Sequence, residues 1–190
     1  MQEKIKEQIL ALVAMKEAMV DSCIEDIESA ANLMIHSIQN GGKILWCGNG
    51  GSAGDAQHLA TELMGGMTNH ERKPIPSIAL TTDSSFITAW SNDTDFESVF
   101  SRQVQGLGNE GDILVGISTS GNSENVIAAI KQAKYKGLKT VVFTGRSGGR
   151  MNKLPDVTIN VPSDDTQRIQ EGHIMTGQII CGLVEYDFLS

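Results

Sequence analysis

The sequence predicts an α/β fold in which a doubly wound, five-stranded parallel sheet follows an N-terminal pair of helices. Short apolar segments recur along the chain and alternate with amphipathic segments of helical spacing, which is the pattern of a parallel sheet covered on both faces. Two apolar segments are followed by loops rich in glycine or serine, "GNGGS" and "STSGNS". Because ligands bind beyond the carboxyl ends of parallel strands, both loops are candidates for a binding site.

Two helices are predicted within residues 1–40. Apolar residues recur at helical spacing from Ile5 to Val13 and again from Ile24 to Ile38. Asp21-Ser22 precedes the second run and is expected to cap its helix, which should end at Asn40-Gly41-Gly42. Both helices precede the first strand, so either the chain's own core or a partner subunit must cover their apolar faces.

Five apolar segments are predicted as the strands: Lys43–Cys47, Pro76–Leu80, Asp112–Ser118, Lys139–Gly145 and Val157–Pro162. Helices are predicted from about Ser52 and over residues 84–90, 95–108, 124–137 and 165–186. No linker or repeat interrupts the pattern. We therefore expect a single domain, residues 1–190, with the helical pair in residues 1–40 and the α/β sandwich in residues 43–190.

Composition argues against several functional classes. The net charge is -8 over 190 residues, whereas nucleic-acid and anionic-membrane surfaces need clustered Lys and Arg. No apolar run approaches the roughly 18 residues of a membrane span, and the N-terminus does not resemble a signal peptide. Cys23, Cys47 and Cys181 are widely spaced and form no CxxC motif, which fits a reducing compartment. We expect a cytoplasmic protein that binds neither nucleic acid nor membrane.

The glycine loop, residues 48–52, has the composition of an anion-binding turn. Gly48, Gly50 and Gly51 allow close approach of the backbone, and Ser52, a further candidate substrate ligand, stands where the next helix begins. A tight turn with Ser52 as the helix cap explains the same residues. The loop lacks the Lys of a Walker motif and the spacing of a dinucleotide fingerprint, so no nucleotide cofactor is expected.

The serine loop, residues 118–123, gives a stronger signal. Ser118, Thr119, Ser120 and Ser123 surround Gly121 directly before a predicted helix. A structural turn rarely needs four hydroxyls, whereas neutral hydroxyls and backbone amides suit a phosphate monoester. The sequence therefore predicts a site for a sugar phosphate or a similar anion.

Both loops, together with the βαβ order, resemble the sugar isomerase (SIS) domain family. Within that family the chain resembles the phosphoheptose isomerases most in five motifs: "GNGGSAGDAQH", "ALTTD", "SRQVQGLGNEGD", "GISTSGNS" and "RIQEGH". The resemblance covers nearly the whole chain. It implies a flavodoxin-like SIS fold, a homotetramer with shared active sites, and conversion of sedoheptulose 7-phosphate to D-glycero-D-manno-heptose 7-phosphate for bacterial lipopolysaccharide or capsule.

His58 and Glu62 lie four residues apart in the helix that follows the glycine loop, so they share one helix face. Most such pairs are surface ion pairs, but this one borders the predicted ligand. Aldose–ketose isomerisation needs a base and a group that stabilises the enediolate. The resemblance implies that Glu62 is the base, and that His58, Glu62 and Gln170 bind zinc in members that carry it. It also implies a sugar-binding set: Asn49, Gly50, Gly51, Asn92, Asp93, Ser118, Thr119, Ser120, Ser123 and Gln170.

Position 178 departs from the family. The phosphoheptose isomerases usually have a second histidine there, eight residues after the glutamine, as catalytic acid and zinc ligand. Gln178 shares a helix face with Gln170 and can ligate or donate a hydrogen bond, but it cannot titrate near neutral pH. It is kept as a candidate catalytic and metal-ligating residue. For His173 we expect a structural role.

Two hypotheses in which the protein is not an enzyme also agree with the sequence. A paralogue in the SIS family binds the replication initiator but lacks the base glutamate and the second histidine. A sugar-phosphate sensor is the other alternative, although no DNA-binding segment is attached here. The presence of His58 and Glu62 favours an enzyme.

Overall fold

The apolar segments form one sheet of five parallel strands in a computed structural model that describes residues 1–189. The strand order is β2-β1-β3-β4-β5. The strands are β1 (Ile44–Gly48), β2 (Ser77–Ala79), β3 (Ile113–Ile117), β4 (Lys139–Thr144) and β5 (Val157–Asn160). The predicted doubly wound parallel sheet is confirmed.

Helices cover both faces of this sheet. They are α1 (Gln2–Ser22), α2 (Ile24–Gln39), α3 (Gly51–Gly65), α4 (Ser84–Asp93), α5 (Val99–Leu107), α6 (Glu124–Tyr135) and α7 (Thr166–Leu189), with a short 3-10 turn at Gly149–Met151. One hydrophobic core joins the sheet to α1, α2, α3 and α7, and a second joins it to α4, α5 and α6. Within residues 1–189, no helix is both long and apolar enough to span a membrane.

Alternate side chains of each strand enter these two cores. In β1, Ile44 and Trp46 lie in the first core, and Leu45 and Cys47 lie in the second. All four are fully buried, and the indole of Trp46 donates to Ser77 Oγ at 2.8 Å. Burial on both faces explains why the strands are continuously apolar in sequence.

The expected cap at Asp21-Ser22 is wrong. Both residues lie in the last turn of α1, where Ser22 Oγ donates to the carbonyl oxygen of Ala18 at 2.8 Å. Cys23 separates α1 from α2 and makes no side-chain cap bond. Since Cys23 is buried in the first core, packing sets the break between the helices, and no capping side chain is present.

Helix α7 packs against α1, α2 and α3. A Cβ at Gly172 would lie 2.8 Å from Val161 Cγ1, and one at Gly177 would overlap the side chain of Leu59. The space around Gly182 is open. Two of the three interior glycines of α7 therefore permit close packing within the chain.

Candidate active site

The strand order brings the two loops together. β1 and β3 are neighbours, and their register pairs Gly48 with Ile117, so the glycine and serine loops leave the sheet side by side. The chain winds from β1 to β2 on one side and from β3 to β4 and β5 on the other. This is the reversal point at which open α/β sheets bind ligands.

The glycine loop lies against α7. Gly50 has a φ of 56° and precedes the first residue of α3, Gly51. A Cβ on Gly51 would lie 2.6 Å from Gln170 Nε2, so the loop and the predicted substrate ligand Gln170 are in contact only because position 51 lacks a side chain. Ser52 is buried in the first turn of α3 and is not the helix cap. Its contact with substrate stays a prediction.

Asn49 is tied to a residue that sequence patterns did not reveal. Its Nδ2 donates to Asn125 Oδ1 at 2.8 Å, and Asn125 Nδ2 donates back to Asn49 Oδ1 at 2.9 Å. Asn125 is buried in the first turn of α6, directly after the serine loop. This reciprocal amide pair fixes one loop relative to the other, which leaves the backbone of Asn49 rather than its engaged side chain for a ligand.

Hydroxyl groups of the serine loop make hydrogen bonds within the loop itself. Ser118 Oγ and Ser123 Oγ lie 2.9 Å apart, and Ser120 Oγ accepts from the backbone amide of Asn122 at 3.2 Å. Ser123 holds the N-cap position of α6 without a side-chain cap bond. The first amides of α6 are available to an anion, and anion binding by this loop stays a prediction.

Glu62, His58 and Gln178 converge from two helices. His58 Nε2 is 2.9 Å from Glu62 Oε1 and 3.4 Å from Gln178 Nε2. The side chain of His58 is 46% exposed and that of Glu62 is 19% exposed, so the pair borders solvent yet is partly desolvated. Gln178 of α7 thus contacts His58 of α3, and its catalytic and metal-binding roles stay predictions.

The metal donors at this site are mixed. Among residues 1–189, no group of three or more His, Cys, Asp or Glu side chains is arranged to hold a metal ion. His58 and Glu62 supply an imidazole and a carboxylate, and Gln170 and Gln178 supply neutral carboxamides. An imidazole and a carboxylate are ligands that zinc accepts, whereas carboxamide oxygens are weaker donors. His58, Glu62 and Gln178 lie together, whereas Gln170 contacts the glycine loop, and zinc binding by the four stays a prediction.

Asp55 lies one turn before His58 on the same face of α3. Its Oδ2 is buried and has no hydrogen-bond partner among the described residues. Burial raises the pKa of the Asp55 carboxyl, and the neighbouring His58 opposes that rise.

His173 belongs to the core. It is completely buried, and its Nε2 lies 3.1 Å from the carbonyl oxygen of Thr144, which can only accept, so Nε2 carries the proton. Burial lowers the pKa of His173 to about 4, and the bond to Thr144 only partly opposes this shift. A neutral core imidazole agrees with the structural role expected of it.

Asn92 and Asp93 stand apart from this cluster. They end α4, both are exposed, and Asn92 Nδ2 donates to Asp93 Oδ1 at 2.8 Å. In the described part of the chain, neither is hydrogen-bonded to the glycine loop or the serine loop. Their contact with substrate stays a prediction.

Comparison with known proteins gives one consistent answer. The SIS domain family model matches residues 9–145. A phosphoheptose isomerase from Burkholderia pseudomallei is 53% identical over 160 residues, which cover 84% of this chain and 81% of the relative. One from Aliarcobacter butzleri is 48% identical over 97% of both chains. The solved phosphoheptose isomerase from Neisseria gonorrhoeae superposes with a TM-score of 0.92 at 44% identity, covering 97% of this chain and 98% of that one.

Proposed function

The chain belongs to the phosphoheptose isomerases of the SIS domain family, and from this premise we propose how its residues convert sedoheptulose 7-phosphate to D-glycero-D-manno-heptose 7-phosphate. One observation supports this proposal most: the glycine loop, which lies beside the serine loop, opens α3, the helix that carries His58 and Glu62, and His58 contacts Gln178 of α7. The test is aldose formation from sedoheptulose 7-phosphate, assayed with and without zinc.

The two ends of the substrate take different parts of the site. The hydroxyls of Ser120 and Ser123 and the first amides of α6 hold the phosphate. The carbonyl end extends along α3 toward His58 and Glu62, which follow Gly51 by about 10 Å and about 16 Å of helix rise. We place C1 and C2 of the substrate beside Glu62.

Glu62 moves the proton. Its carboxylate removes a proton from C1 of the ketose, and the electrons flow into the carbonyl at C2 to give an enediolate. The same carboxyl then returns a proton to C2, while the hydroxyl proton on O1 passes to O2. Gln178 and His58 donate hydrogen bonds to the oxygens on which charge develops.

His58, Glu62, Gln170 and Gln178 are the residues that would hold a zinc ion, which would stabilise negative charge on the enediolate oxygens. The two carboxamides make this set weaker than one with a second histidine.

Gln178→His is accordingly expected to raise zinc affinity, and to raise kcat if proton transfer limits the rate. Gln167→His is the matched control, because it adds an imidazole to an exposed position near the start of α7. Calorimetry with zinc alone measures the affinity. Equal affinities in both variants would show that position 178 does not join the metal-binding set.

Ser120→Ala and Ser123→Ala are each expected to raise KM about tenfold while changing kcat less. Both hydroxyls would hold the phosphate, which is remote from the reacting carbons. Ser85→Ala, which removes an exposed hydroxyl from α4, is the control. An unchanged KM in both serine-loop variants would move the phosphate site elsewhere.

We also propose a homotetramer that works in the cytoplasm, where three free thiols stay reduced, and that supplies heptose for surface polysaccharide. An apolar groove of about 560 Å³ between α2 and α7 supports the assembly. Exposed apolar side chains extend this surface: Ile5, Ile9, Leu10, Val13, Ile24, Ile179 and Leu183.

A further inference from the structure

A carboxylate lies buried behind the last turn of α3. The side chain of Glu185, in α7, is 3% exposed. It accepts hydrogen bonds from the backbone amides of Met67, Thr68 and Asn69, from the Thr68 hydroxyl and from Arg72 Nε, at 2.6–3.1 Å. Burial alone would raise the pKa of Glu185, but these bonds outweigh burial and lower it to about 2. Glu185 is therefore an anion that holds the loop after α3.

Arg72 connects this anion to the end of α3. Its side chain is 2% exposed. Nη2 donates to the carbonyl oxygens of Glu62 at 3.0 Å and Leu63 at 2.7 Å, and Nη1 donates to that of Lys73 at 2.9 Å. The last carbonyls of a helix lack partners within the helix, and they carry the negative end of its dipole. The backbone amides of Gly66 and Ile75 also donate to the carbonyls of Glu62 and Leu63, and the guanidinium adds further hydrogen bonds together with the opposite charge.

We propose that Arg72 and Glu185, named here the clamp, are positioning residues for Glu62, an inference that rests on the proposed function. Glu62 lies in the last turn of α3, and the clamp binds its own carbonyl oxygen. If that turn frays, the carboxylate leaves the position beside His58. A displacement of about 1 Å is enough to cost about 100-fold in rate.

The chemistry of the clamp favours a role in positioning Glu62 over a role in stabilising the fold. A buried ion pair often stabilises a fold no better than apolar side chains of similar volume. Its hydrogen bonds, in contrast, are directional, and Arg72 uses three nitrogens on acceptors from two separate elements. A planar guanidinium meets this geometry, whereas a lysine ammonium does not.

The double variant Arg72→Met/Glu185→Gln tests the proposal. It removes both buried charges and leaves an acceptor for the loop amides, but the carbonyls of Glu62 and Leu63 then keep only the backbone amides of Gly66 and Ile75 as donors and lose the link to α7. We expect kcat to fall about 10- to 100-fold, with KM for sedoheptulose 7-phosphate nearly unchanged because the serine loop lies on other elements. The single variant Arg72→Lys keeps the positive charge but lacks the planar set of donors of a guanidinium. Its kcat should lie between those of the double variant and the wild type.

Lys43→Met/Asp112→Asn is the matched control. This ion pair is also poorly exposed, with side chains 19% and 4% accessible, but it joins the amino ends of β1 and β3 and, among residues 1–189, makes no hydrogen bond with α3. Thermal melting of both double variants compares their losses of stability. The control is expected to keep the wild-type kcat at assay temperatures at which it is folded.

These experiments distinguish failure of the proposed isomerase function from failure of the proposed positioning role of the clamp. An inactive wild-type chain would refute the proposed function and not the clamp geometry. An active wild type with an unchanged kcat in the clamp variants would overturn the clamp alone. The clamp would also be overturned if the clamp double variant and the Lys43→Met/Asp112→Asn control lost the same fraction of kcat at the same stability. If the clamp double variant does not fold, Arg72→Lys decides, and full kcat in that variant overturns the proposal.

Discussion

Glu62→Gln is expected to abolish isomerisation, lowering kcat by about 1000-fold or more. Glutamine keeps the shape of the side chain and can still accept a hydrogen bond from His58, but it cannot take a proton from carbon. The proposed phosphate site is the serine loop, which this substitution does not touch, so binding of sedoheptulose 7-phosphate should persist. Calorimetry and a single-turnover assay measure the two effects separately.

The control for this substitution is Glu71→Gln, which neutralises an exposed carboxylate in the loop after α3. It should leave both kcat and KM at the wild-type values. Near-normal turnover in Glu62→Gln would show that Glu62 is not the base, and that another group in the candidate active site transfers the proton.

Gly121→Ala is expected to raise KM at least tenfold and to lower stability by about 2–4 kcal/mol. Gly121 has a φ of 64°, and an added Cβ would overlap the carbonyl oxygen of Gly148. The serine loop can accommodate a methyl group only by moving away from that backbone, which would separate the hydroxyls that we propose to hold the phosphate.

Gly41→Ala isolates the cost of backbone strain. Gly41 has a φ of 79°, and an added Cβ there meets no atom within 4 Å. It lies after α2, away from the serine loop. Denaturant unfolding should show a loss of only about 1–2 kcal/mol, with unchanged KM. Equal effects in the two alanine variants would show that the contact with Gly148 does not shape the loop.

The fold was predictable because its signals are local. Apolar strands and amphipathic helices alternate with the periodicities of buried parallel sheets, and the structure places the elements close to the predicted bounds. The cap at Asp21-Ser22 failed for a physical reason: local capping chemistry competed with the burial of Cys23, and burial prevailed.

Parts of the candidate site were predictable where their residues lie in continuous motifs. The glycine and serine loops and the His58–Glu62 pair are each contained in a few residues, and helix spacing placed Gln178 on the face of α7 that contacts His58. Asn125, Arg72 and Glu185 act through partners far along the chain. Arg72 and Glu185 are separated by 113 residues, and Asn49 and Asn125 by 76. No periodicity or motif reveals such pairs before the chain is folded.

NMR of the reaction in D₂O shows whether Glu62 isomerises a ketose phosphate bound by the serine loop. We expect sedoheptulose 7-phosphate to be converted to the aldose, with deuterium at C2 of the product, because the carboxyl of Glu62 exchanges its proton with solvent before returning it. Unchanged ketose in the presence of the wild-type protein, or aldose formed at the wild-type rate by Glu62→Gln, would exclude Glu62 as the base of this reaction.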